Sequence, residues 1–500
     1  MKKGAILLSA FLAVCGAREA DAAAYASLIR VGTIAVPSAT GTSISYVLNE
    51  AATSVTIEIL DQSNAVVATF AGTTAIGLNT VAWNGRVDNA AGAFVADGNN
   101  NKVRITTAKT AAAGYAQITS QGHVSSSPAP AKTAMVDHAY PKALVVQNDQ
   151  TSDQFGTVLV AFGYASYSPP TDAGAWMVLN SALDIVAGDN GYASRVLKHP
   201  TDDGTPPVPY DTAVWGGVWD GDRFYAVGQS DVLDGGVNFM SGLVTNGVFP
   251  AFTTDADPTG ISGAVGSIFP RFTSISTVSG NKYLFTTNGS GQVIASAVTN
   301  GSVTSAIPNI LALTTTGLYS KQTRFDSAGN MYFVGRRTGA GVGGRVFRWS
   351  AAQVAAAIAG GGSINQLTEA NAQWDLTCVA DPGEAVAVSV TFTPSGDVIY
   401  WDSDTGLYNV GNISTSSLVG NLPGTGTQIL NAAGILNGSS PSETTSEVVS
   451  DAFGNLYLVD GGAEVVQSIS PGGNSNTVVS APPSQTFAIG GSSVDSWIKY

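Results

Sequence analysis

Apolar and polar positions alternate with a period of two over much of the chain, the pattern of strands with one buried face. The first regular run is ISYVL over 44–48, followed by VTIEIL over 55–60, which places Val55, Ile57 and Ile59 on one side, and VVATF over 66–70. Asp61 to Asn64 is a polar turn; Gly77-Leu78-Asn79 opens another strand into Val81 and Trp83, and 102–107 closes the set. Together they predict a small antiparallel sandwich over 43–109, with Trp83 as a core aromatic. Residues 110–141, rich in Ala, Ser and Pro with SSSPAPAK at 125–132, lose the period and read as a linker with an outer strand near 115–118.

Beyond residue 141 the chain repeats itself. GGVWDGDRFYAVG (216–228), SISTVSGNKYLFT (274–286), TRFDSAGNMYFVG (323–335), VTFTPSGDVIYWD (390–402) and VVSDAFGNLYLVD (448–460) each read strand, tight turn, apolar strand, with FGTVLVAFG (155–163) as a weaker upstream copy. In the five full copies Gly precedes Asn or Asp at the turn, a pair that tolerates the positive φ of hairpin turns. The marker glycines 156, 221, 280, 329, 396 and 454 are 65, 59, 49, 67 and 58 residues apart, room for four strands per period. The strand after each turn is apolar on both faces, as expected between neighbouring sheets. The predicted fold class is all-β: a small immunoglobulin-like sandwich followed by a β-propeller over 142–500, of six blades, or seven if the linker or the tail from Thr477 adds one. Ser350-Ala351-Ala352-Gln353 is a capping box that starts one short helix, stopped by Gly360 to Gly362.

The sandwich carries a resemblance. Ile44-Ser45-Tyr46-x-Leu48, the 61–64 turn, and Trp83-Asn84-Gly85 followed by Asp88, Gly92, Val95 and Gly98 resemble the immunoglobulin-like domain of the flagellar hook-capping family. That resemblance covers residues 43–109 only and implies a spacer, docking or assembly module.

Residues 1–22 have the parts of an export signal: Lys2 and Lys3, an apolar stretch from Ala5 to Val14, and Ala20-Asp21-Ala22 as a cleavage site, which favours cleavage before Ala23 over lipidation of Cys15. The following segment, 23–42, is apolar and reads as an extended piece that could add a strand to a neighbouring subunit. After cleavage Cys378 is left without a disulfide partner, and 19 bases face 34 acids, a net charge of −15. Nucleic acid and anionic lipid are poor partners for such a surface, and no stretch after the signal is long enough for a transmembrane helix. The expected location is secreted, extracellular or at the cell surface.

Candidate chemistry is sparse. GAGVGG at 339–344 fits a nucleotide-binding glycine pattern, but a strand follows it instead of a helix, which makes it a glycine-rich hairpin loop. His123, His138 and His199 have no zinc spacing. No cofactor is implied beyond Ca²⁺ at a turn through Asp402 and Asp404; Asp255 and Asp257 are a lesser candidate of the same kind. Residues entering the innermost strands converge on one mouth of a propeller channel, giving Asp211, Arg271, Lys321, Arg324, Glu384 and Glu447 as a candidate binding cluster, with structural ion pairs as the competing role. Trp215 and Trp219 could stack on sugars or pack between sheets. The sequence therefore supports, in order, a structural or adhesive surface protein that binds itself or other surface proteins in a filament, sheath or surface layer, a propeller module binding carbohydrate or peptide, and a propeller hydrolase or lyase. Enzyme activity is not favoured, since the expected metal and nucleophile motifs are missing.

Overall fold

The computed structural model describes residues 24–32, 42–96, 98–110, 114–122, 130–132, 141–162, 175–186, 197–198, 212–230, 237–243, 253–255, 270–288, 292–307, 309–313, 318–337, 344–378, 388–402, 405–415, 417–422, 426–431, 446–472, 475–479 and 487–489. Two bodies of β-sheet account for nearly all of them.

The first is a sandwich. One sheet orders Ala26–Val31, Thr42–Leu48 and Gly77–Trp83; the other orders Ser475–Val479, Gly98–Ala108, Ser54–Leu60 and Val66–Ala71. Alternation decides the faces: Val55, Ile57 and Ile59 are buried between the sheets with Ile44, Tyr46 and Ile105, while Thr56 and Glu58 lie outward. Trp83 is buried in this core, stacked on Phe70 with centroids 6.2 Å apart. Its indole N–H donates to the Arg86 carbonyl at 2.9 Å, so the ring is buried without stranding its donor. Asp61 folds its own turn, accepting from the backbone N–H groups of Ser63 (2.8 Å) and Ala65 (2.9 Å).

The second body is a propeller of six blades among the described residues. Its innermost strands are Pro141–Val146, Thr212–Asp220, Pro270–Val278, Leu318–Phe325, Val388–Phe392 and Ser446–Ser450; each packs beside the next and the last returns to the first. All six marker glycines sit at positive φ, from +56° at Gly221 to +88° at Gly396, in the turn that follows each of these strands. Asp326 and Asp451 build theirs identically: the carboxylate accepts from the N–H two residues on and from both the N–H and the side-chain amide of the Asn four residues on, at 2.8–3.0 Å. The second strand of the last blade, Leu456–Asp460, is buried at every position, as a strand with sheets on both faces must be. The helix, Ala351–Ala359, has the Ser350/Gln353 capping box and lies between the third and fourth strands of the fourth blade, burying Val354, Ala357 and Ile358.

Three segments depart from the division read in the sequence. Ala26–Val31 is a strand of the sandwich, pairing antiparallel with Thr42–Leu48 of its own chain and burying Tyr25, Ala26 and Ile29. A register shift between Ser27 and Arg30, with Leu28 at φ +48°, breaks the alternation that would have announced this strand. Ala116–Gly122 is the outer strand expected near 115–118, and it pairs with Val465–Ser470 as the outermost strand of the last blade, so this part of the linker belongs to the propeller. The described strands of the tail add no seventh blade: Ser475–Val479 and Phe487–Ile489 both pair with Gly98–Ala108 of the sandwich.

Candidate functional site in the channel and at the joint

Gln322 and Arg324, two residues apart on an innermost strand, share the face turned to the propeller axis. Across it, in the last blade, stands Glu447, itself buried. Its Oε1 accepts from Gln322 Nε2 at 2.7 Å and from Arg324 Nη2, and its Oε2 accepts from the Leu144 backbone N–H at 2.8 Å. Gln322 in turn accepts from the Val390 N–H (3.1 Å) and the Ser389 hydroxyl (3.3 Å). One carboxylate thus joins the first, fourth and sixth blades directly and the fifth through Gln322. Beside this crosspiece is a narrow crevice bordered by Ala143, Gly216, Gly217, Phe272 and Thr273. Gly217 is required there, because a Cβ would stand 2.4 Å from the Phe224 ring.

Of the predicted cluster, the fold brings Arg324 and Glu447 together as an ion pair. Arg271 and Lys321 lie at strand irregularities on the third and fourth innermost strands, and their side chains lie outside what is described. Asp211 and Glu384 fall outside the described residues, as do all three histidines, Asp404, Asp257, residues 339–343 and 1–22. With three donors on its two oxygens, Glu447 is fully engaged. Asp402 is buried and accepts from the Thr405 N–H at 3.1 Å, and no cluster of metal-ligating side chains occurs among the described residues. Trp219 packs against Phe224, centroids 5.1 Å apart, between blades. Gln322, at the centre of the network, was missed because a neutral amide gives no charge signal in the sequence.

A second buried polar cluster lies where the sandwich meets the propeller. Tyr25, fully buried, packs on Phe155 and Phe453 at centroid distances of 5.6 and 4.7 Å. Ser27 Oγ meets Ser181 Oγ at 2.9 Å, and Arg30 Nη2 donates to the Asp153 carbonyl at 2.9 Å. Beneath them Asp451 is enclosed, and burial pushes its carboxyl up to about 6 against the opposing effect of its hydrogen bonds. Tyr457 donates to the Ser181 carbonyl at 2.9 Å, and burial raises both its hydroxyl and that of Tyr25. Glu50, from the sandwich, is buried too; it pairs with Lys109 and accepts from Ser470 Oγ at 2.9 Å. A signal for this joint was present: among the six marker glycines only Gly156 and Gly454 follow a phenylalanine, and both phenylalanines dock the sandwich.

No helix among the described residues is long and apolar enough to cross a membrane. A comparison with curated proteins found no match. Solved structures similar to the chain include the extracellular domain of the putative hybrid two component system BT4673 from B. thetaiotaomicron, at 11% identity and TM-score 0.34, covering 71% of this chain and 40% of that one. Bacteroides ovatus xyloglucan PUL GH43B is similar at 9% identity and TM-score 0.32, covering 64% and 48%. The soluble aldose sugar dehydrogenase from Escherichia coli is similar at 12% identity and TM-score 0.37, covering 67% and 97%. The chain thus spans less than half the length of the first two, and likeness this distant carries no activity across. The sandwich is identified more closely: residues 33–111 match the FlgD Ig-like domain.

Proposed function

We propose that the mature chain, exported through the signal at residues 1–22, is a structural and adhesive protein of the cell exterior that presents its propeller as a rigid platform. One observation carries this reading: the Ig-like module is packed onto the propeller through Tyr25, Phe155 and Phe453 instead of hanging from a linker. A module seated over the short-turn face leaves the opposite face to the partner. The connections from each blade to the next leave the opposite strand ends, and long connections on a rigid scaffold are where recognition is built. The Glu447–Arg324 crosspiece takes a structural role here, and the partner, another surface protein, a second copy or a surface carbohydrate, meets the rim. The acidic surface and the low cysteine content suit this setting.

The test is to tag the full protein, probe intact producing cells with antibody and external protease, and examine the purified mature chain by size-exclusion chromatography and negative-stain microscopy. Surface labelling together with cell binding or ordered assemblies supports the reading. A monomer that binds no cells, and whose melting temperature rises with one soluble sugar or peptide, replaces it with the binding-module reading.

A further inference from the structure

The strand Gly98–Ala108 is flanked along one edge by Ser54–Leu60, from Ser54 opposite Ala108 to Leu60 opposite Lys102. Its other partner over the same residues comes from the far end of the chain: Ser475 stands opposite Ala108 and Val479 opposite Arg104, antiparallel. Phe487 and Ile489 then pair with Asn101 and Gly98, so the C-terminal segment follows this strand almost to its start. The insertion alternates as a bound strand should. Val478 enters the sandwich core, Asn476 is buried with its amide donating to the Ala24 carbonyl at 3.0 Å, and Thr477 faces outward, its hydroxyl 3.0 Å from that of Thr106.

We infer that this edge of the Ig-like module is a strand-acceptor site whose ligand is an extended peptide with the inward pattern of Asn476 and Val478. In this chain the site is filled in cis by the C-terminal segment. Two facts point to a ligand rather than an integral strand. The region matching the Ig-like family, residues 33–111, contains the acceptor edge and excludes the occupant. The occupant is also joined to the last blade only through the short stretch after Ser470 and follows the six blades in sequence, so it reaches the edge as a separate piece. Main-chain pairing supplies affinity in such an arrangement and the inward pockets supply selectivity. A free edge of this length otherwise invites pairing with another chain, so the segment also guards the module against edge-to-edge association. A second copy's C-terminal segment fits the same site whenever the first is displaced.

The test keeps the whole chain. A protease site is inserted between Gly472 and Ser475, the folded protein is cleaved, and a fluorescent peptide spanning Ser475–Ile489 is added in excess. The expected result is that the cleaved segment stays bound through size-exclusion chromatography, exchanges with the labelled peptide, and does not exchange with the same peptide carrying Val478→Asp. Two results overturn the inference: loss of near-ultraviolet circular dichroism on cleavage, which makes the segment an integral strand, or retention of native structure with no binding of either peptide. Both readouts are independent of whether the chain is displayed on a cell, so failure here leaves the surface role standing.

Discussion

Adding one methyl group at two glycines of matching backbone conformation separates the docking of the Ig-like module from the cost of that conformation. Gly156 and Gly280 lie in the connections between the first two strands of the first and third blades, at φ +83° and +82°. Alanine at either must enter the left-handed region, costing about 1–2 kcal/mol. At Gly280 nothing lies within 4 Å of the new Cβ, so Gly280→Ala should lose only that. At Gly156 the Cβ would stand 2.4 Å from Ser27 Cβ and 2.7 Å from Ser27 Oγ, on the first strand of the sandwich. Forcing a methyl into such a contact adds roughly 1–3 kcal/mol, for a total near 2–5 kcal/mol. Urea unfolding followed by tryptophan fluorescence measures both, and hydrogen exchange at Ala26–Val31 locates the damage. Equal losses in the two variants, or unchanged protection of Ala26–Val31 in Gly156→Ala, would refute the argument that the module is packed directly on the first blade.

Other outcomes follow from the buried polar groups. Glu447→Gln should cost about 2–4 kcal/mol, less than for a fully buried pair because the Arg324 side chain keeps 17% exposure. Glu447→Gln with Arg324→Met should recover most of that in urea titration, and a double variant no more stable than the single would contradict a structural crosspiece. Tyr25→Ala should cost roughly 3–5 kcal/mol and lower the thermal midpoint, since the ring is fully enclosed; a loss well below about 3 kcal/mol, the bottom of this class of truncation, would show that the joint is dispensable. Asp451 gives a pH dependence with a definite sign. Its folded value of about 6 lies above the ordinary 3.8, so its contribution is fully present below pH 3.8 and is lost as pH rises to about 6. Asp451→Asn should flatten the melting temperature between those limits, and an unchanged slope would place the titration elsewhere.

Much of the architecture is local and was legible. Six glycines in equivalent turns announced six blades, because each turn is built by residues adjacent in sequence, and Val55, Ile57 and Ile59 fixed the core face of the sandwich in the same way. What was not legible depends on pairing across the whole chain. Ser475–Val479 gives no sign that its partner is Arg104–Ala108, and the irregularity at Leu28 hid the strand Ala26–Val31. In the channel, charge led to Arg324 and Glu447, but their meaning lay with Gln322 and the Leu144 N–H, groups without charge. The convergence of residues at the ends of innermost strands was sound topology. Whether those groups stand free or join one another is decided by side-chain reach across the axis.

The order of the strands in the last blade has a kinetic side. Its outermost strand, Ala116–Gly122, is made before any other part of the propeller, while Val465–Ser470, its partner, is made after nearly all of it. Closing the ring therefore waits for Val465–Ser470, and its final contacts join segments far apart in sequence. Such pairings are slow. During that interval the edge of the first-made strand that Val465–Ser470 covers stays unpaired, and a chain stalled before residue 465 is the form most exposed to aggregation. A protein arranged this way closes its propeller with a strand synthesised long after its partner.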